Sequence, residues 1–376
     1  MIRFLHTSDW QLGMTRHFLS EDNQARFAQA RFDVIRALGR IAKDKNCQFM
    51  VVCGDVFESN HVDRKTVLRA LEALKEVPMP VYLLPGNHDP LHVASVYQSS
   101  VFAERKPDNV HVIENADPIK AAEGIEVVGI PWLSKRPVGD LVAETIDSLS
   151  PAAGTVRICL GHGAIDSLSP DPDAPGVISL ARVEEAIRQR KVHYLALGDR
   201  HSLTDVGGSH RIWYSGAPEP TDYDEVRPRS ALVVELNEEK VSAEMVEVGT
   251  WNFIERPRLD VNNEQDIRSL QKWLEDLPNK ERSIVKLLFF GALSLSLRGQ
   301  LYAIITSFQD LLGALEISEE NLVLAPADSD FSDLGFSGFV SSTVGKLREK
   351  IGPGSQESTV SQDALMLLVR LARSSE

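Results

Sequence analysis

The sequence has few cysteines and no long apolar segment, and these absences exclude two classes of protein. Three cysteines occur among the 376 residues, at Cys47, Cys53 and Cys159. An odd number of cysteines without metal-ligand spacing excludes a secreted domain held by disulfides, so we expect buried free thiols in a reducing cytoplasm. No apolar run approaches the roughly 18 residues that span a bilayer. We therefore expect a cytoplasmic protein that does not associate with a membrane.

Basic residues are fewer than acidic ones in this sequence. Lys and Arg number 40 against 54 Asp and Glu, which gives a formal net charge of −14. This balance excludes a surface that is basic throughout, so any binding of nucleic acid must be local or assisted by a partner. The remaining composition, 43% hydrophobic and 25% charged, is typical of a globular protein with one large core and one or two smaller units.

Residues 1–240 alternate between short apolar runs and amphipathic segments. Apolar residues at helical spacing predict helices over Gln24–Lys43, Arg64–Glu76 and Leu180–Gln189. The apolar runs predict these strands: Ile2–His6, Phe49–Cys53, Val81–Leu84, Ile125–Ile130, Val156–Leu160, His193–Leu197 and Ile212–Tyr214. Strands that alternate with helices predict a layered α/β sheet, in which functional polar residues lie at the carboxyl ends of the strands.

The pattern changes after Val248, which predicts a division into parts at 1–248, 251–326 and 336–376. The middle part is expected to be a smaller α+β domain. Its predicted elements are strands over Phe253–Val261, Ser283–Phe290 and Leu322–Leu324 and helices over Gln265–Leu277 and Leu297–Leu315. Two amphipathic C-terminal helices, at 336–351 and 360–373, follow it. A terminal helix as apolar as the second usually docks onto another surface.

Residue types that bind divalent metals follow five of the predicted strands. They are Asp9, Gln11, Asp55, Asn87, His88, His162, Asp199 and His201. Carboxylate and amide oxygens suit hard divalent ions, and imidazole extends the range to Mn, Fe and Zn. Each motif alone has an ordinary structural interpretation, as a turn residue or a loop histidine. Five such motifs, each at the end of a strand, indicate a site for a pair of metal ions.

The order D-x-[HQ], GD, GNHD, GH, G-x-x-H resembles that of the calcineurin-like metallophosphoesterases. Within that group, HTSDWQLG, GDVFE, LLPGNHDP and YSGAPEPTDYDE are similar to motifs of the SbcD family, the nuclease subunit of a bacterial DNA repair complex. That family is the counterpart of the archaeal and eukaryotic double-strand-break repair nuclease. The resemblance covers residues 1–240. It implies a layered metallophosphoesterase β-sandwich flanked by helices, a capping domain at 251–326, and DNA exonuclease or endonuclease activity.

The resemblance also assigns ligands and a catalytic histidine. One metal would take Asp9, Gln11, Asp55 and His201. The second would share Asp55 and add Asn87, His162 and Asp199. His88 would help to protonate the leaving oxygen or contact the scissile phosphate, while the two ions neutralise the charge that develops during phosphodiester hydrolysis.

Two ligand positions depart from the pattern of the family, which has histidine where this chain has Gln11 and Asp199. Both residues can still ligate through oxygen. The shells are therefore richer in oxygen and favour two Mn²⁺ ions, with Mg²⁺ as the alternative. The opposing interpretation is a site that has decayed.

Three further residues beside the motifs are weaker candidates for contact with substrate: Arg16, His61 and Arg200. Each lies in a predicted loop, where a basic residue meets a phosphate or stays solvated. DNA is the expected substrate.

Two partners are implied by the resemblance. The segment 336–376 corresponds by position to the part of the family that holds an SMC-like ATPase of the SbcC type. The family also implies a homodimer through helices at Arg64–Glu76 and Leu91–Glu104. The apolar stripe of the first helix would serve such a dimer or, equally, the core of its own chain; it consists of Val67, Leu68, Leu71 and Leu74.

Two other functions stay open on the sequence. The same metal core would serve a phosphatase or phosphodiesterase acting on small molecules or phosphoproteins, because a fold does not determine its substrate. The added domain and the apolar C-terminal helices argue against this alternative. The other is a catalytically weakened scaffold subunit that holds an ATPase on DNA.

Overall fold

The computed structural model describes residues 1–152, 154–325 and 339–350, together with 360–361, 364–365 and 367–368. The chain divides into two compact units, Met1–Asn252 and Phe253–Glu376. The predicted division at 1–248, 251–326 and 336–376 stays a prediction.

Two six-stranded sheets form the first unit. Its strands are β1 (Ile2–Thr7), β2 (Met50–Cys53), β3 (Val81–Leu84), β4 (Val110–Val112), β5 (Ile119–Ala122), β6 (Ile125–Gly129), β7 (Val156–His162), β8 (Tyr194–Gly198), β9 (Thr204–Val206), β10 (Ile212–Tyr214), β11 (Ser230–Leu236) and β12 (Val241–Glu247). The first sheet has the order β12-β11-β1-β2-β3-β4, and the second has the order β5-β6-β7-β8-β10-β9. Strands β1 to β4 are parallel, as are β6, β7, β8 and β10.

Side chains of the central strands pack on both faces. In β2, Met50 and Val52 belong to the core between the first sheet and its helices, whereas Val51 and Cys53 belong to the core between the two sheets. Successive side chains of a strand point to opposite faces, so a strand buried on both faces is apolar throughout. The first unit is therefore layered as helices, sheet, sheet and helices.

Helices cover the outer face of each sheet. On the first sheet lie α1 (Glu21–Asp44) and α2 (Arg64–Lys75), which begin after the capping residues Ser20 and Asp63. The remaining helices are α3 (Ser100–Arg105), and α4 (Leu141–Ser148) and α5 (Leu180–Arg188) on the second sheet. The predicted α/β class, a layered β-sandwich flanked by helices, is confirmed.

The prediction of one helix over Leu91–Glu104 is wrong. A 3-10 turn at Val96–Gln98 and the short α3 take its place. Ser95 accepts a hydrogen bond from Tyr97 N, and Ser99 accepts one from Phe102 N. Each serine starts its own helical segment, because a side-chain oxygen that binds a nearby backbone N–H competes with a continuous helix.

Three of the four residues in the apolar stripe of α2 face the core of their own chain, whereas Leu68 is only half-buried. Val67, Leu71 and Leu74 are buried against the first sheet and its neighbouring helices. A dimer through this helix stays a prediction. The three cysteines are free and buried, as the sequence predicts.

The second unit contains a three-stranded sheet in the order β13-β14-β15. The strands are β13 (Asn252–Asp260), β14 (Ser283–Leu293) and β15 (Ala314–Leu324), and the helices are α6 (Glu264–Asp276) and α7 (Leu295–Gln309). Buried residues of the helices and strands form one apolar core. The helix predicted over Leu297–Leu315 is too long, because α7 ends at Gln309 and Ala314 already pairs with Ile284 of β14.

One helix, α8 (Phe339–Glu349), is described beyond β15. It falls within the first predicted C-terminal helix at 336–351. Most of the second, at 360–373, lies outside the described residues. Within the described parts of the chain, no helix is both long and apolar enough to cross a membrane.

Candidate metal centre

The predicted metal ligands lie at the carboxyl ends of parallel strands in both sheets. Asp9, Asp55 and Asn87 follow β1, β2 and β3 of the first sheet, while His162 ends β7 and Asp199 follows β8 of the second. Ligand atoms of Asp9, Asp55 and His162 all lie within 4.8 Å of one another, and the three residues are buried. Two carboxylates and one imidazole this close together are the kinds of group that form metal sites in proteins.

Four of the predicted ligands have a left-handed backbone. The angle φ is 54° at Asp9, 49° at Gln11, 52° at Asp55 and 92° at Asp199. In this region the Cβ atom crowds the backbone, at a cost of roughly 1–2 kcal/mol per residue. Conformations of this kind cluster at functional sites, where the surrounding fold imposes them. The strand ends thus turn sharply and direct these side chains into one site.

Asp55 lies at the centre of the group and is 2% exposed. Its Oδ1 accepts a hydrogen bond from His88 N (3.0 Å), and its Oδ2 accepts one from Gln11 Nε2 (3.1 Å). Burial would raise the pKa of Asp55, but the neighbouring His162 imidazole outweighs burial and brings the pKa to about 2. The low pKa keeps the carboxylate ionised, and each of its two oxygens accepts one hydrogen bond.

His162 directs one ring nitrogen at three oxygens. Its Nδ1–H donates to Cys53 O (2.8 Å). Its Nε2 lies 2.7 Å from Asn87 Oδ1, 3.4 Å from Asp55 Oδ1 and 3.8 Å from Asp199 Oδ1. Burial would lower the pKa of His162, but the Asp55 carboxylate outweighs burial and raises the pKa well above its usual value. A nitrogen among three oxygens needs a cation, which is either a proton or a metal ion.

Gln11 supports the metal interpretation most directly. Its side chain is 1% exposed. Among the described residues, no group donates a hydrogen bond to its Oε1. A buried carbonyl oxygen without a donor costs about 1–3 kcal/mol, and a bound cation would remove that cost. The residues present therefore fit a divalent metal.

Two glycines make room for the ligands. A Cβ at Gly54 would lie 2.0 Å from His162 Nδ1, and a Cβ at Gly86 would lie 2.2 Å from Asp55 Oδ1. Gly54 also has a φ of 89°, which L-residues avoid. In both motifs, the glycine lets the side chain of a predicted ligand lie against the backbone.

The other side of the group is built around Asp9. Its carboxylate accepts hydrogen bonds from Ser8 Oγ (2.6 Å) and Asp199 N (3.1 Å). Its Oδ1 lies 3.8 Å from His201 Nε2. Burial raises the pKa of Asp9 to about 6. Asp9, in the loop after β1, thus contacts the loop after β8.

His88 borders the centre and is open to solvent. Its Nδ1–H donates to Glu58 O (3.0 Å), and its Nε2 lies 4.0 Å from Asp55 Oδ2. The side chain is 41% exposed. His88 can therefore reach a molecule bound at the centre.

The three weaker candidates lie in different surroundings. The Arg16 guanidinium donates to Thr221 O. His61 is exposed on the loop after β2. Arg200 donates from Nε to Thr204 Oγ1 (3.0 Å) and, with Asp199, lines an open cavity of 290 Å³. Contact of these three residues with substrate stays a prediction.

Two residues beside His201 are absent from the predicted ligand set. The Thr221 hydroxyl lies 2.6 Å from His201 Nδ1, and Glu225 Oε1 lies 3.3 Å from the same atom. Both belong to the motif YSGAPEPTDYDE. The motif is visible in the sequence, but its contact with His201 is not.

Comparisons with known proteins agree with this geometry. The model of the family Calcineurin-like phosphoesterase matches residues 2–308. The chain is 24% identical over 338 residues to DNA double-strand break repair protein Mre11 of Sulfolobus acidocaldarius, covering 86% of this chain and 83% of that protein.

Two further relatives are similarly distant. The chain is 22% identical over 292 residues to the uncharacterized metallophosphoesterase YhaO of Bacillus subtilis, covering 75% of this chain and 68% of YhaO. It is 26% identical over 233 residues to DNA double-strand break repair protein Mre11 of Saccharolobus solfataricus, covering 60% of this chain and 57% of that protein.

Proposed function

Because the chain belongs to the calcineurin-like phosphoesterase family, we propose that it is a DNA nuclease that hydrolyses phosphodiesters at a two-metal centre. The observation that carries this proposal is the ligand group at the strand ends, with the carbonyl oxygen of Gln11 buried and no described group donating to it. A buried oxygen of this kind, beside the ionised Asp55, is suited to a metal ion and not to a purely structural role.

Two shells follow from the motifs. Asp9, Gln11, Asp55 and His201 would hold one ion, and Asp55, Asn87, His162 and Asp199 would hold the other. Oxygen atoms predominate in both shells, which favours Mn²⁺ over softer ions, with Mg²⁺ as the alternative. Bound divalent ions would supply positive charge that polarises the scissile phosphate and neutralises charge developing on its oxygens.

His88 is proposed as the proton donor to the leaving oxygen or as a contact to the phosphate. Its Nδ1–H donates a hydrogen bond to Glu58 O. The ring is therefore oriented with Nε2 toward the metal centre and solvent. A positioned acid of this kind typically contributes 10²- to 10⁴-fold to the rate. The hydrogen bond to a backbone carbonyl holds the imidazole where a phosphodiester would arrive.

Similarity beyond the first unit supports DNA over a small substrate. The alignment with the Sulfolobus acidocaldarius relative covers 86% of the chain, which is more than the first unit, Met1–Asn252, supplies. That relative is described as a DNA double-strand break repair protein. A phosphatase with the same metal core has no need of the second unit.

The test is hydrolysis of end-labelled single- and double-stranded DNA in Mn²⁺, with a nucleoside monophosphate and a phosphopeptide as competing substrates. Asp55→Ala removes the shared ligand and should lower DNA cleavage by on the order of 10³-fold or more. His88→Ala should lower cleavage by about 10²-fold while two Mn²⁺ ions stay bound. His210→Ala, which removes an exposed histidine between β9 and β10, is the matched control and should cleave normally.

Two results would overturn the proposal. Turnover of the monophosphate or the phosphopeptide without DNA cleavage would make the protein a phosphatase. Wild-type protein that binds no Mn²⁺ at neutral pH would make it a scaffold without a metal centre. Loss of metal in His88→Ala would refute only the role given to His88.

We also propose an SMC-like ATPase as partner, bound through 336–376. The net charge of −14 supports this, because phosphate neutralisation supplies most non-specific DNA affinity and this chain alone should hold DNA weakly. Deleting residues from 336 onward should leave metal-dependent cleavage of a short DNA intact and abolish co-purification with the ATPase. A truncated protein that still captures the ATPase would contradict the docking role.

A further inference from the structure

We propose that Thr221 and Glu225 are positioning residues that fix the ring of His201 for metal binding through a carboxylate–hydroxyl–imidazole chain. This inference rests on the proposed metal centre and assigns a role to two residues outside its ligand set. It also gives a function to the loop that follows β10, which contributes no ligand of its own to the proposed shells.

The three groups are in direct hydrogen-bond contact. His201 Nδ1 lies 2.6 Å from Thr221 Oγ1, and Thr221 Oγ1 lies 2.6 Å from Glu225 Oε1. Thr221 is 2% exposed, and the Glu225 side chain is 4% exposed. Water therefore competes little with the contact between the hydroxyl and the carboxylate.

The direction of the hydrogen bonds follows from the number of protons. Glu225 Oε1 also accepts from Thr221 N (2.8 Å) and Asp222 N (3.2 Å), so it acts as an acceptor throughout. The single hydroxyl proton of Thr221 is therefore donated to Glu225. The hydroxyl oxygen is left to accept. Both acceptors within reach of His201 Nδ1, the Thr221 hydroxyl at 2.6 Å and Glu225 Oε1 at 3.3 Å, require Nδ1 to carry the proton, and the hydroxyl is the nearer of the two.

This tautomer leaves the lone pair of His201 on Nε2. That nitrogen lies 3.8 Å from Asp9 Oδ1, on the side of the metal centre. A metal-binding histidine generally donates its second ring N–H to a carboxylate, carbonyl or water, which sets the ring orientation. Here the donation is relayed through a hydroxyl to a buried carboxylate.

Two arginines hold the loop that carries the chain of hydrogen bonds. Arg31, which is 1% exposed, donates to Glu219 O (3.2 Å) and Pro220 O (3.0 Å). Arg16 donates to Thr221 O. Three successive backbone carbonyls are thus fixed by guanidinium groups. The hydroxyl is presented to His201 by a segment with little freedom to move.

The decisive comparison uses two pairs of variants in the full chain, titrated with Mn²⁺ and followed by electron paramagnetic resonance. Thr221→Val and Glu225→Leu break the chain of hydrogen bonds, whereas Thr221→Ser keeps the hydroxyl and Glu225→Gln keeps the accepting oxygen. We expect each breaking variant to lose about 10- to 100-fold in affinity for one of the two ions. The conserving variants should stay within about threefold of wild type.

Controls separate positioning from folding. Thr145→Val, on α4, is the matched substitution and should bind both ions normally. Thermal unfolding in chelator reports the stability of each metal-free variant. If Thr221→Val does not fold, the Glu225 pair decides the question alone.

Each outcome has a distinct meaning. Breaking variants that bind both ions like wild type, or conserving variants that lose as much affinity as the breaking ones, would overturn the positioning role. A loss of stability without a loss of affinity would also overturn it. Wild-type protein that binds no Mn²⁺ would refute the proposed metal centre and this inference together, whereas normal binding without DNA cleavage would refute only the nuclease.

Discussion

Substituting Gly86 with alanine tests whether the proposed metal site depends on free space beside the backbone at the strand ends. Gly86 has a φ outside the left-handed region, so alanine can adopt its backbone conformation. The added Cβ would lie 2.2 Å from Asp55 Oδ1 and 2.5 Å from Asp55 N. The substitution therefore acts on Asp55, the proposed shared ligand, without changing its carboxylate.

The magnitude follows from these distances. Non-bonded heavy atoms prefer separations of about 3.5–4.0 Å, so the Asp55 carboxylate must move by about 1 Å. Overpacking of this kind typically costs about 1–3 kcal/mol of stability. Metal–ligand distances tolerate only about 0.2 Å, so the affinity for Mn²⁺ should fall by at least about tenfold, or 1.4 kcal/mol.

The assay is a Mn²⁺ titration by calorimetry at pH 7.5, with urea unfolding in chelator on the same samples. Gly208→Ala is the matched control, because a Cβ there meets no atom of the described chain within 4 Å. If Gly86→Ala unfolds like wild type and binds Mn²⁺ within twofold of wild type, the site does not depend on this close approach and the reasoning fails.

Three further predictions concern stability. Burial lowers the pKa of His6 to about 3, against about 6.5 in the unfolded chain. The contribution of the neutral His6 to the free energy of unfolding is therefore complete above pH 6.5 and declines toward pH 3 by up to about 5 kcal/mol. In urea unfolding between pH 7 and 4, the stability of His6→Gln should decline less steeply than that of wild type, and parallel curves would contradict this. Arg31→Met leaves three backbone carbonyls without their donor and should cost about 3–5 kcal/mol, whereas the exposed Arg26→Met should change stability by no more than about 0.5 kcal/mol. Gly299→Ala, inside α7 with no described atom near the new Cβ, should stabilise the protein by about 0.5–1 kcal/mol in a thermal scan.

Much of the first unit could be predicted because its signals are local. Runs such as Val81–Leu84 are apolar and end at a polar motif, and the structure has β3 at those residues. The sequence does not predict β4 and β9, which have three residues each and contain polar residues. The equally short β10 is predictable because its three residues, Ile212–Tyr214, form an apolar run. Both β4 and β9 pair with a neighbouring strand, a contact that the local pattern does not show. Tertiary pairing also explains why α7 ends before Leu315, which lies in β15 beside β14.

The candidate site also has parts that could be predicted from the sequence and parts that could not. Asp9 and Asp55 follow neighbouring parallel strands of one sheet, so their proximity follows from the pattern. His162 ends a strand of the other sheet, and its approach to them depends on how the two sheets pack. Thr221 and His201 are 20 residues apart. Their contact depends on the path of an irregular loop, for which spacing gives no rule. The left-handed backbone of the ligands is equally invisible in the sequence, because Asp and Gln do not require it.

The position of the candidate site between the two sheets has a consequence for the lifetime of the protein. Asp55 follows a strand of one sheet and His162 ends a strand of the other. An ion held by both would cross-link layers that are otherwise joined by apolar packing and by hydrogen bonds such as that from His162 Nδ1 to Cys53 O. A ligand bound only by the folded state stabilises it by about 2.7 kcal/mol at one hundred times its dissociation constant. The supply of metal in the surroundings would then govern how long the protein survives proteolysis, as well as how fast it works. Withdrawing the metal should therefore speed degradation of the protein. Amide exchange at the ends of β2 and β7 should then accelerate together.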